Sequence, residues 1–279
     1  MSDTSQSNKY NVHDTLVALC NDIVEKDVGI ALSSGIDSMS VLLALLECDK
    51  NITVYSFTLE DRLPRDYSVA KDIADKLNLP FVSVLLPVNL NVLKDDIKIM
   101  AEKYKCKKKT DFECFWPYMY LMKRVQQPVL ASGMAADGYF AISKKGSMHY
   151  KNDIQTFREQ YFSSENKCQI IQRTRLAEEL GQKLFDPYLS EEMYNLLYES
   201  TWDECNKPYQ KMPIRIAFEY EKYMKIYPHT NFQLGDSGIS EHFEKLLYTD
   251  WNLHNYKSVI GIFNSVNRGE LSYAKRKLI

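Results

Sequence analysis

A run of small and hydroxyl-bearing residues joins the first strand that the sequence predicts to the helix that follows it. The run is Ser33-Ser34-Gly35, and Asp37 and Ser38 stand at the start of the helix. A helix leaves backbone N–H groups unpaired at its N-terminus, where they favour an anion, and the serine hydroxyls add donors for phosphate oxygens. The Asp37 carboxylate would repel a bare phosphate, so we expect Mg²⁺ between the two. The alternative is an ordinary strand-to-helix turn in which Asp37 helps to cap the helix.

The elements that position this run alternate along the first half of the chain. Short apolar segments predict buried strands at 28–32, 52–57, 81–86 and 128–132. Apolar residues at helical spacing predict helices at 13–26, 38–46, 67–77, 91–104 and 112–125. Apolar strands separated by helical crossovers are typical of a parallel sheet with helices on both faces.

The second half of the chain has a different character. No strand-like run follows Gly146, and helical spacing predicts helices at 173–181, 190–201 and 213–226. No linker rich in proline, glycine or serine separates the two halves. We therefore expect a single domain over 1–279, with an α/β core at about 14–145 and an α-rich portion at 146–279 packed onto the sheet.

Composition limits the classes of function. The chain has 279 residues, of which 35 are basic and 37 acidic, so its net charge of −2 gives no overall attraction to nucleic acid or to an anionic membrane. Its six cysteines and five histidines show no metal-ligand spacing, which argues against zinc or iron–sulfur sites. The polar N-terminus is not a signal peptide, and the apolar stretches are too short to cross a bilayer. We expect a cytoplasmic protein without a membrane partner.

The serine-rich run has a counterpart in a known superfamily. Ser33-Ser34-Gly35-Ile36-Asp37-Ser38 resembles the S-G-G-x-D-S loop of the N-type ATP pyrophosphatases, the PP-loop superfamily. Those enzymes cleave ATP between the α and β phosphates and activate a carbonyl oxygen as its adenylate. Ser34 replaces the usual second glycine. A serine in the left-handed conformation there would cost roughly 1 kcal/mol.

Five further segments resemble one branch of that superfamily, in the right order and at compatible spacing. They are similar to the synthetase domain of asparagine synthetases and of the related β-lactam synthetases. The matching segments are 117–122, 129–137, 181–189 and 211–219, followed by a late glycine loop at 232–239. Together with the serine-rich run, the resemblance spans about 14–245.

The resemblance implies a Rossmann-like fold of the adenine nucleotide alpha hydrolase type, a parallel five-stranded sheet with flanking helices. It implies catalytic roles for Asp37, Asp137 and Lys211, with Mg²⁺ held by Asp37 and Asp137. Ser56 and Phe57 fall where the superfamily contacts adenine; the alternative places Phe57 in the core. The residues expected to bind ATP or pyrophosphate are Leu32, Ser33, Ser34, Gly35, Asp37, Ser38, Ser56, Phe57, Ser132 and Gly133.

Two departures from the family pattern bear on the substrate. Met134 stands where the family has a glutamate near the reacting centre, and methionine can line an apolar pocket but cannot act as an acid or base. A gap-free comparison places the family's active-site lysine at Asn231, which carries no charge. A nearby cation would have to replace it, and the candidates are Lys211, Lys222, Lys225 and His229.

The resemblance implies a carbon–nitrogen ligase that uses ATP and Mg²⁺ and forms AMP and pyrophosphate from a small carboxylate and ammonia or an amine. We expect no N-terminal glutaminase domain, so any ammonia is free or comes from a separate glutaminase subunit. One alternative is a catalytically degenerate ATP- or AMP-binding protein that acts as a sensor or partner subunit. Another is a synthetase that modifies a nucleic acid base, which only the basic runs 103–109 and 275–277 support.

Overall fold

A computed structural model of the chain describes residues 10–163, 170–228 and 233–250. Within these residues, parallel strands form a five-stranded sheet in the order β3-β2-β1-β4-β5. The strands are β1 Asp27–Ala31, β2 Asn51–Leu59, β3 Phe81–Leu86, β4 Val129–Ser132 and β5 Lys183–Phe185. The expected α/β class and the Rossmann-like parallel sheet are confirmed.

Helices flank both faces of this sheet. The α-helices of the first half are α1 Val12–Asn21, α2 Ile36–Glu47, α3 Arg65–Lys76, α4 Leu90–Glu102 and α5 Lys109–Met122. They continue with α6 Lys144–Tyr150, α7 Ile154–Phe162, α8 Ile170–Leu180, α9 Glu191–Tyr198, α10 Trp202–Asn206, α11 Met212–Arg215 and α12 Ile239–Asp250. Short 3₁₀ helices lie at Ala136–Tyr139, Pro187–Leu189 and Tyr220–Lys222. No helix among the described residues combines the length and the apolar character that a membrane span requires.

The apolar side chains form one core on each face of the sheet. Val28 and Ile30 of β1 pack with α1, α2, α3 and α9 on one side, whereas Ala31 and Leu130 pack with α4, α5, α8 and α12 on the other. A central parallel strand is therefore buried on both faces, which explains why β1 and β4 are continuous apolar runs rather than alternating ones.

The order of the strands reverses beside β1. Along the chain the sheet grows from β1 to β2 and β3 on one side, and then from β4 to β5 on the other side of β1. Ala31 at the end of β1 is in register with Tyr55 of β2 and with Ser132 of β4. The loops that follow β1 and β4 therefore leave the sheet at one level and flank a crevice, where open α/β sheets bind ligands.

Two expectations for the second half are wrong. Lys183–Phe185 forms β5 and pairs with β4, although no strand was expected after Gly146. Three partly exposed residues are too few to show a strand pattern. The helix expected at 213–226 is only Met212–Arg215, because the Tyr220 hydroxyl donates to the Ile214 carbonyl (2.8 Å) and folds the chain back on itself.

Candidate active site

A cavity of about 1000 Å³ lies at the carboxyl ends of β1 and β4. It brings together most of the residues that the sequence proposes for ATP, along with the three proposed catalytic residues. Those that line the cavity are Leu32, Ser33, Ser34, Gly35, Asp37, Ser38, Ser56, Phe57, Gly133, Asp137 and Lys211. Ser132 lies beneath the cavity and does not line it.

The loop after β1, residues 33–38 (the serine loop), is closed by its own hydrogen bonds. The Ser33 amide donates to Ser38 Oγ (3.2 Å), and the Gly35 amide donates to Ser33 Oγ (3.2 Å). Gly35 is the N-cap of α2, and no side chain caps this helix. The start of α2 therefore keeps backbone N–H groups available to an anion. Ser34 does not adopt the left-handed conformation whose cost the sequence suggested, because its φ is not positive.

The loop after β4 and the start of α2 approach each other closely at the cavity. A Cβ added to Gly133 would lie 2.5 Å from the carbonyl carbon of Asp37 and 2.5 Å from the amide nitrogen of Ser38. Real Cβ atoms do not come this near to backbone, so only glycine lets the β4 loop pack against the start of α2. The first turn of α2 is thereby fixed against the loop that carries Asp137.

Lys211 joins the two proposed metal carboxylates. Its Nζ atom lies 2.5 Å from Asp37 Oδ2 and 2.5 Å from Asp137 Oδ1. Only 4% of Lys211 is exposed. Burial by itself would lower the pKa of Lys211, but the carboxylates of Asp137 and Asp37 outweigh it and raise that pKa above its ordinary value. Lys211 is therefore a protonated, buried cation shared by two loops.

Two residues with a left-handed backbone conformation orient the side chains of Lys211 and Asp137 toward each other. Lys211 has φ 59° and stands directly before α11, while Ala135 has φ 71° and precedes the 3₁₀ helix that carries Asp137. Non-glycine residues in this conformation cost roughly 1–2 kcal/mol each, so the surrounding contacts must hold them. Asn206 makes one such contact: its side chain accepts a hydrogen bond from the Lys211 amide (3.4 Å) and donates one to the Phe140 carbonyl (2.9 Å).

Ser132 belongs to a buried network beneath the cavity. Its hydroxyl donates to Asp186 Oδ1 (2.5 Å) and accepts the Met134 amide (3.2 Å). Arg173, whose side chain has no exposed surface, donates to Asp186 Oδ2 (3.0 Å) and packs its guanidinium over the ring of Tyr118 (4.6 Å). The geometry gives Ser132 a part in holding the turn after β4 in place.

The other end of the cavity lies between β2 and α5. Ser56 is buried within β2, and the next residue, Phe57, is half-buried and meets Tyr118 edge to face with ring centroids 6.5 Å apart. Phe57 and Tyr118 both line the cavity, as does Cys114 one turn earlier on α5. Phe57 therefore contributes both to the cavity wall and to the core packing behind it.

The start of α3 supplies two charged residues that sequence reasoning missed. Ser34 Oγ donates to Asp66, and the Arg65 guanidinium lies 4.5 Å from the centre of the Tyr227 ring. Both Arg65 and Asp66 line the cavity. Their position at the start of the helix that follows β2, the strand next to β1, is the signal that could have found them, because the segments after these strands converge on the crevice.

Among the three candidates for the missing family lysine that the structure describes, Lys211 is the one that lines the cavity. Lys222 is exposed and contacts Glu219, and Lys225 is exposed as well. His229 and Asn231 fall outside the described residues. Arg215 is a further cation at the cavity, with its guanidinium 4.9 Å from the centre of the Tyr209 ring.

The donor set fits Mg²⁺ if the nucleotide supplies the remaining ligands. No group of three or more His, Cys, Asp or Glu side chains in the described part of the chain can hold a metal ion. Asp37 and Asp137 provide two carboxylates, and Mg²⁺ is commonly held by one or two carboxylates together with substrate phosphates. Lys211 contacts both carboxylates in this structure, so the ion and the lysine must share them.

The basic run at 103–109 is partly neutralised by acids. Lys103 lies 2.6 Å from Glu179, and Lys109 lies 2.7 Å from Glu244. These contacts leave less positive charge for a nucleic acid. The second basic run, 275–277, falls outside the described residues.

A five-stranded parallel sheet with the serine loop and two carboxylates at its reversal point defines an α/β protein of the Rossmann-like class. Comparison with protein families then matches residues 23–257 to asparagine synthase. The chain therefore belongs to the asparagine synthase family, and the resemblance seen in the sequence is confirmed.

Two other comparisons add little to this assignment. The chain is similar to the solved structure of NMN synthetase from Francisella tularensis, with 12% identity and a TM-score of 0.36, over 91% of this chain and 97% of that one. No match was found among curated proteins.

Proposed function

We propose that this chain is an ATP-dependent synthetase that adenylates a carboxylate, releases pyrophosphate, and transfers the acyl group to ammonia or an amine with release of AMP. Membership of the asparagine synthase family supports the coarser statement, an ATP-dependent synthetase. The observation that carries the finer one is the shared contact of Lys211 with Asp37 and Asp137. It joins a loop after β1 to a loop after β4 at the edge of the sheet where such folds bind ligands.

The proposed reaction has two steps. An oxygen of the substrate carboxylate attacks the α-phosphorus of ATP, the bond from that phosphorus to the oxygen bridging to the β-phosphate breaks, and pyrophosphate leaves. The nitrogen nucleophile then attacks the acyl carbon, loses a proton, and displaces AMP.

Each group of the cavity has a place in this scheme. The serine loop and the uncapped start of α2 would bind the leaving pyrophosphate. Lys211 would stabilise the negative charge that develops on the phosphates, a role that needs a fixed cation in a site shielded from water. Asp37 and Asp137 would hold Mg²⁺, and the ion would neutralise phosphate oxygens.

The first test measures pyrophosphate release from ATP and Mg²⁺ over a panel of carboxylic acids with ammonium as the nitrogen source. Acid labelled with ¹⁸O in its carboxylate should transfer one labelled oxygen to AMP, which distinguishes adenylation from simple ATP hydrolysis. Asp37→Asn should reduce release by about 100-fold or more. Asp72→Asn, which alters an exposed acid on α3, is the matched control.

The possible results separate the candidate functions. Release that depends on one acid and is lost in Asp37→Asn supports the synthetase. Calorimetric binding of ATP without pyrophosphate release from any acid, with ammonium or with amines, would favour a nucleotide-binding sensor or partner subunit. Activity that appears only when a glutaminase and glutamine replace ammonium would indicate a separate ammonia-supplying subunit.

A further inference from the structure

The end of the cavity beside Asp137 and Lys211 is built from apolar and aromatic side chains. Met134 and Ile142 come from the segment after β4, and Phe157 and Tyr161 lie one turn apart on α7, with their rings 6.0 Å apart. Tyr209, two residues before Lys211, lies at the rim and is largely exposed. We call Met134, Ile142, Phe157, Tyr161 and Tyr209 the aromatic end.

The aromatic end is fixed directly against the reacting groups. A Cβ on Gly138 would overlap the ring of Tyr161, so this ring packs on the turn that carries Asp137. Arg158 holds α7 in this position from behind. Its guanidinium donates to the Tyr139 carbonyl (3.0 and 2.9 Å) and to the Ser200 carbonyl (2.7 Å). The aromatic surface is therefore in place before any substrate arrives.

The charges of the cavity are distributed unevenly. Its acids are Asp37, Asp66 and Asp137, of which Asp66 accepts from Ser34 in the serine loop and the other two share Lys211. None of the five side chains of the aromatic end is a carboxylate, and the guanidinium of Arg215 lies 4.9 Å from the centre of the Tyr209 ring at its rim. The ammonium group of an amino acid bound there would lose its hydration without gaining a carboxylate partner from these side chains, which is energetically unfavourable.

The volume of the cavity leaves room for a second molecule beside the nucleotide. At about 1000 Å³ it lies at the top of the range of roughly 300–1000 Å³ that is usual for small-molecule sites. Ser56, Phe57 and Tyr118 line one end, and the aromatic end lies across the serine loop from them. A substrate in the aromatic end can therefore direct a carboxylate to the phosphates while its body stays among rings.

We propose that the acyl substrate is a carboxylic acid with a flat, uncharged, apolar body, an aryl or arylalkanoic acid, held by Phe157, Tyr161 and Met134. This inference rests on the proposed function for the fate of the carboxylate. Apolar and aromatic surfaces bind such a body through buried area and ring contacts. The ammonium group of aspartate would find no carboxylate among the five side chains of the aromatic end, so aspartate suits this end of the cavity poorly.

The test uses 3-phenylpropionate and 4-hydroxycinnamate as probes, against aspartate and glutamate, with binding measured by calorimetry in the presence of ATP and turnover by pyrophosphate release. Phe157→Ala should raise the dissociation constant and KM for 3-phenylpropionate at least about tenfold, with a smaller change in kcat. Phe157→Leu should fall between this variant and the wild type. Gln155→Ala, on α7 but outside the cavity, should leave both constants unchanged, and thermal melts show that each variant is folded.

The outcomes separate this inference from the proposed function. Binding and turnover of the aryl acids that weaken in Phe157→Ala support both. Binding that weakens in Phe157→Ala, with no pyrophosphate released from any acid, supports the substrate class and counts against the synthetase. Turnover of aspartate or glutamate with no binding of the aryl acids overturns the substrate class and leaves the synthetase standing. Aryl acids that bind equally well to Phe157→Ala also overturn it.

Discussion

The Nζ atom of Lys211 lies 2.5 Å from Asp137 Oδ1, although 74 residues separate them by their numbers, and the same atom lies 2.5 Å from Asp37 Oδ2. The side chain of Lys211 is 5% exposed, that of Asp37 20%, and that of Asp137 42%. One buried cation thus holds two acids that come from opposite sides of the reversal point of the sheet. In the proposed reaction, Mg²⁺ bound to the nucleotide would have to compete with Lys211 for the two carboxylates or share them.

The first prediction concerns this competition. Lys211→Met leaves Asp37 and Asp137 without their shared cation, and a divalent ion can then replace it. We expect Mg²⁺ alone, without nucleotide, to raise the melting temperature of this variant but not that of the wild type, because a ligand that binds only the folded state stabilises it. Without Mg²⁺ the variant should lose about 3 kcal/mol, at the lower end for a broken buried pair because Asp137 is partly exposed.

The control for this prediction is Lys222→Met, which removes an exposed lysine that contacts Glu219 away from the cavity. Its response to Mg²⁺ should match that of the wild type. If Mg²⁺ stabilises wild type and Lys211→Met equally, Lys211 does not keep Mg²⁺ from binding Asp37 and Asp137.

Most of the sheet was predictable from the sequence because buried parallel strands are continuous apolar runs. The predicted segments 28–32, 52–57, 81–86 and 128–132 each match one of the strands β1 to β4 within three residues at either end. β5 could not be predicted, since Lys183–Phe185 is short and partly exposed and owes its conformation to pairing with β4. The order of the strands in the sheet could not be predicted either, because no local sequence pattern encodes which strands pair.

The site was predictable where one loop carries its own signal, as the serine loop does. The meeting of Lys211 with Asp37 and Asp137 depends on chain segments that are distant in sequence and on two left-handed residues, neither of which leaves a local pattern. No sequence pattern marks Phe157 and Tyr161 as site residues, because aromatic residues at helical spacing are typical of an ordinary helix core. Met134 was the local clue at this end of the cavity, since methionine in place of the family's glutamate can line an apolar pocket.

The second prediction tests the close approach of Gly133 to the start of α2. Gly133→Ala should lower the free energy of unfolding by about 1–3 kcal/mol and weaken ATP binding, because its Cβ would meet the backbone of Asp37 and Ser38 at 2.5 Å. Gly35→Ala is the comparison, since its nearest contact is the movable Ser33 hydroxyl at 3.3 Å and its φ is −87°. Urea denaturation should place Gly35→Ala within about 1 kcal/mol of the wild type. Equal losses in the two variants would contradict the packing argument.

The third prediction concerns Arg158, which is completely buried and fixes α7. It donates to the carbonyls of Tyr139, Tyr198 and Ser200, so one guanidinium ties α7 to the turn after Asp137 and to the end of α9. Arg158→Lys keeps the charge but cannot span these acceptors, and it should cost about 3 kcal/mol in denaturant unfolding. Arg175→Lys on the exposed face of α8 should cost almost nothing. A loss of less than about 0.5 kcal/mol in the free energy of unfolding of Arg158→Lys would show that these guanidinium hydrogen bonds are not needed for stability.

The last prediction is a pH dependence that arises where α12 packs on α5. His242 is buried and stacks on Trp116, with ring centroids 5.6 Å apart. Burial lowers the pKa of His242 below its ordinary value of 6.5, and Lys245 adds to this, whereas Asp61 and the Pro87 backbone act in the opposite direction. The folded protein therefore keeps a neutral imidazole where the unfolded chain binds a proton.

The sign of the effect follows from that difference in bound protons. The stabilising contribution of His242 is complete above about pH 6.5 and is lost as the pH falls below it, at no more than about 1.4 kcal/mol per pH unit for one proton. His242→Phe keeps the stacking on Trp116 but cannot titrate, so between pH 7.5 and 5.5 it should lose less stability than the wild type. The nearby carboxyls of Glu113 and Asp96, whose pKa values burial raises, titrate in both proteins and cancel in the difference. His149→Phe, at an exposed position, should follow the wild-type curve, and parallel curves for wild type and His242→Phe would show that His242 is not the titrating group.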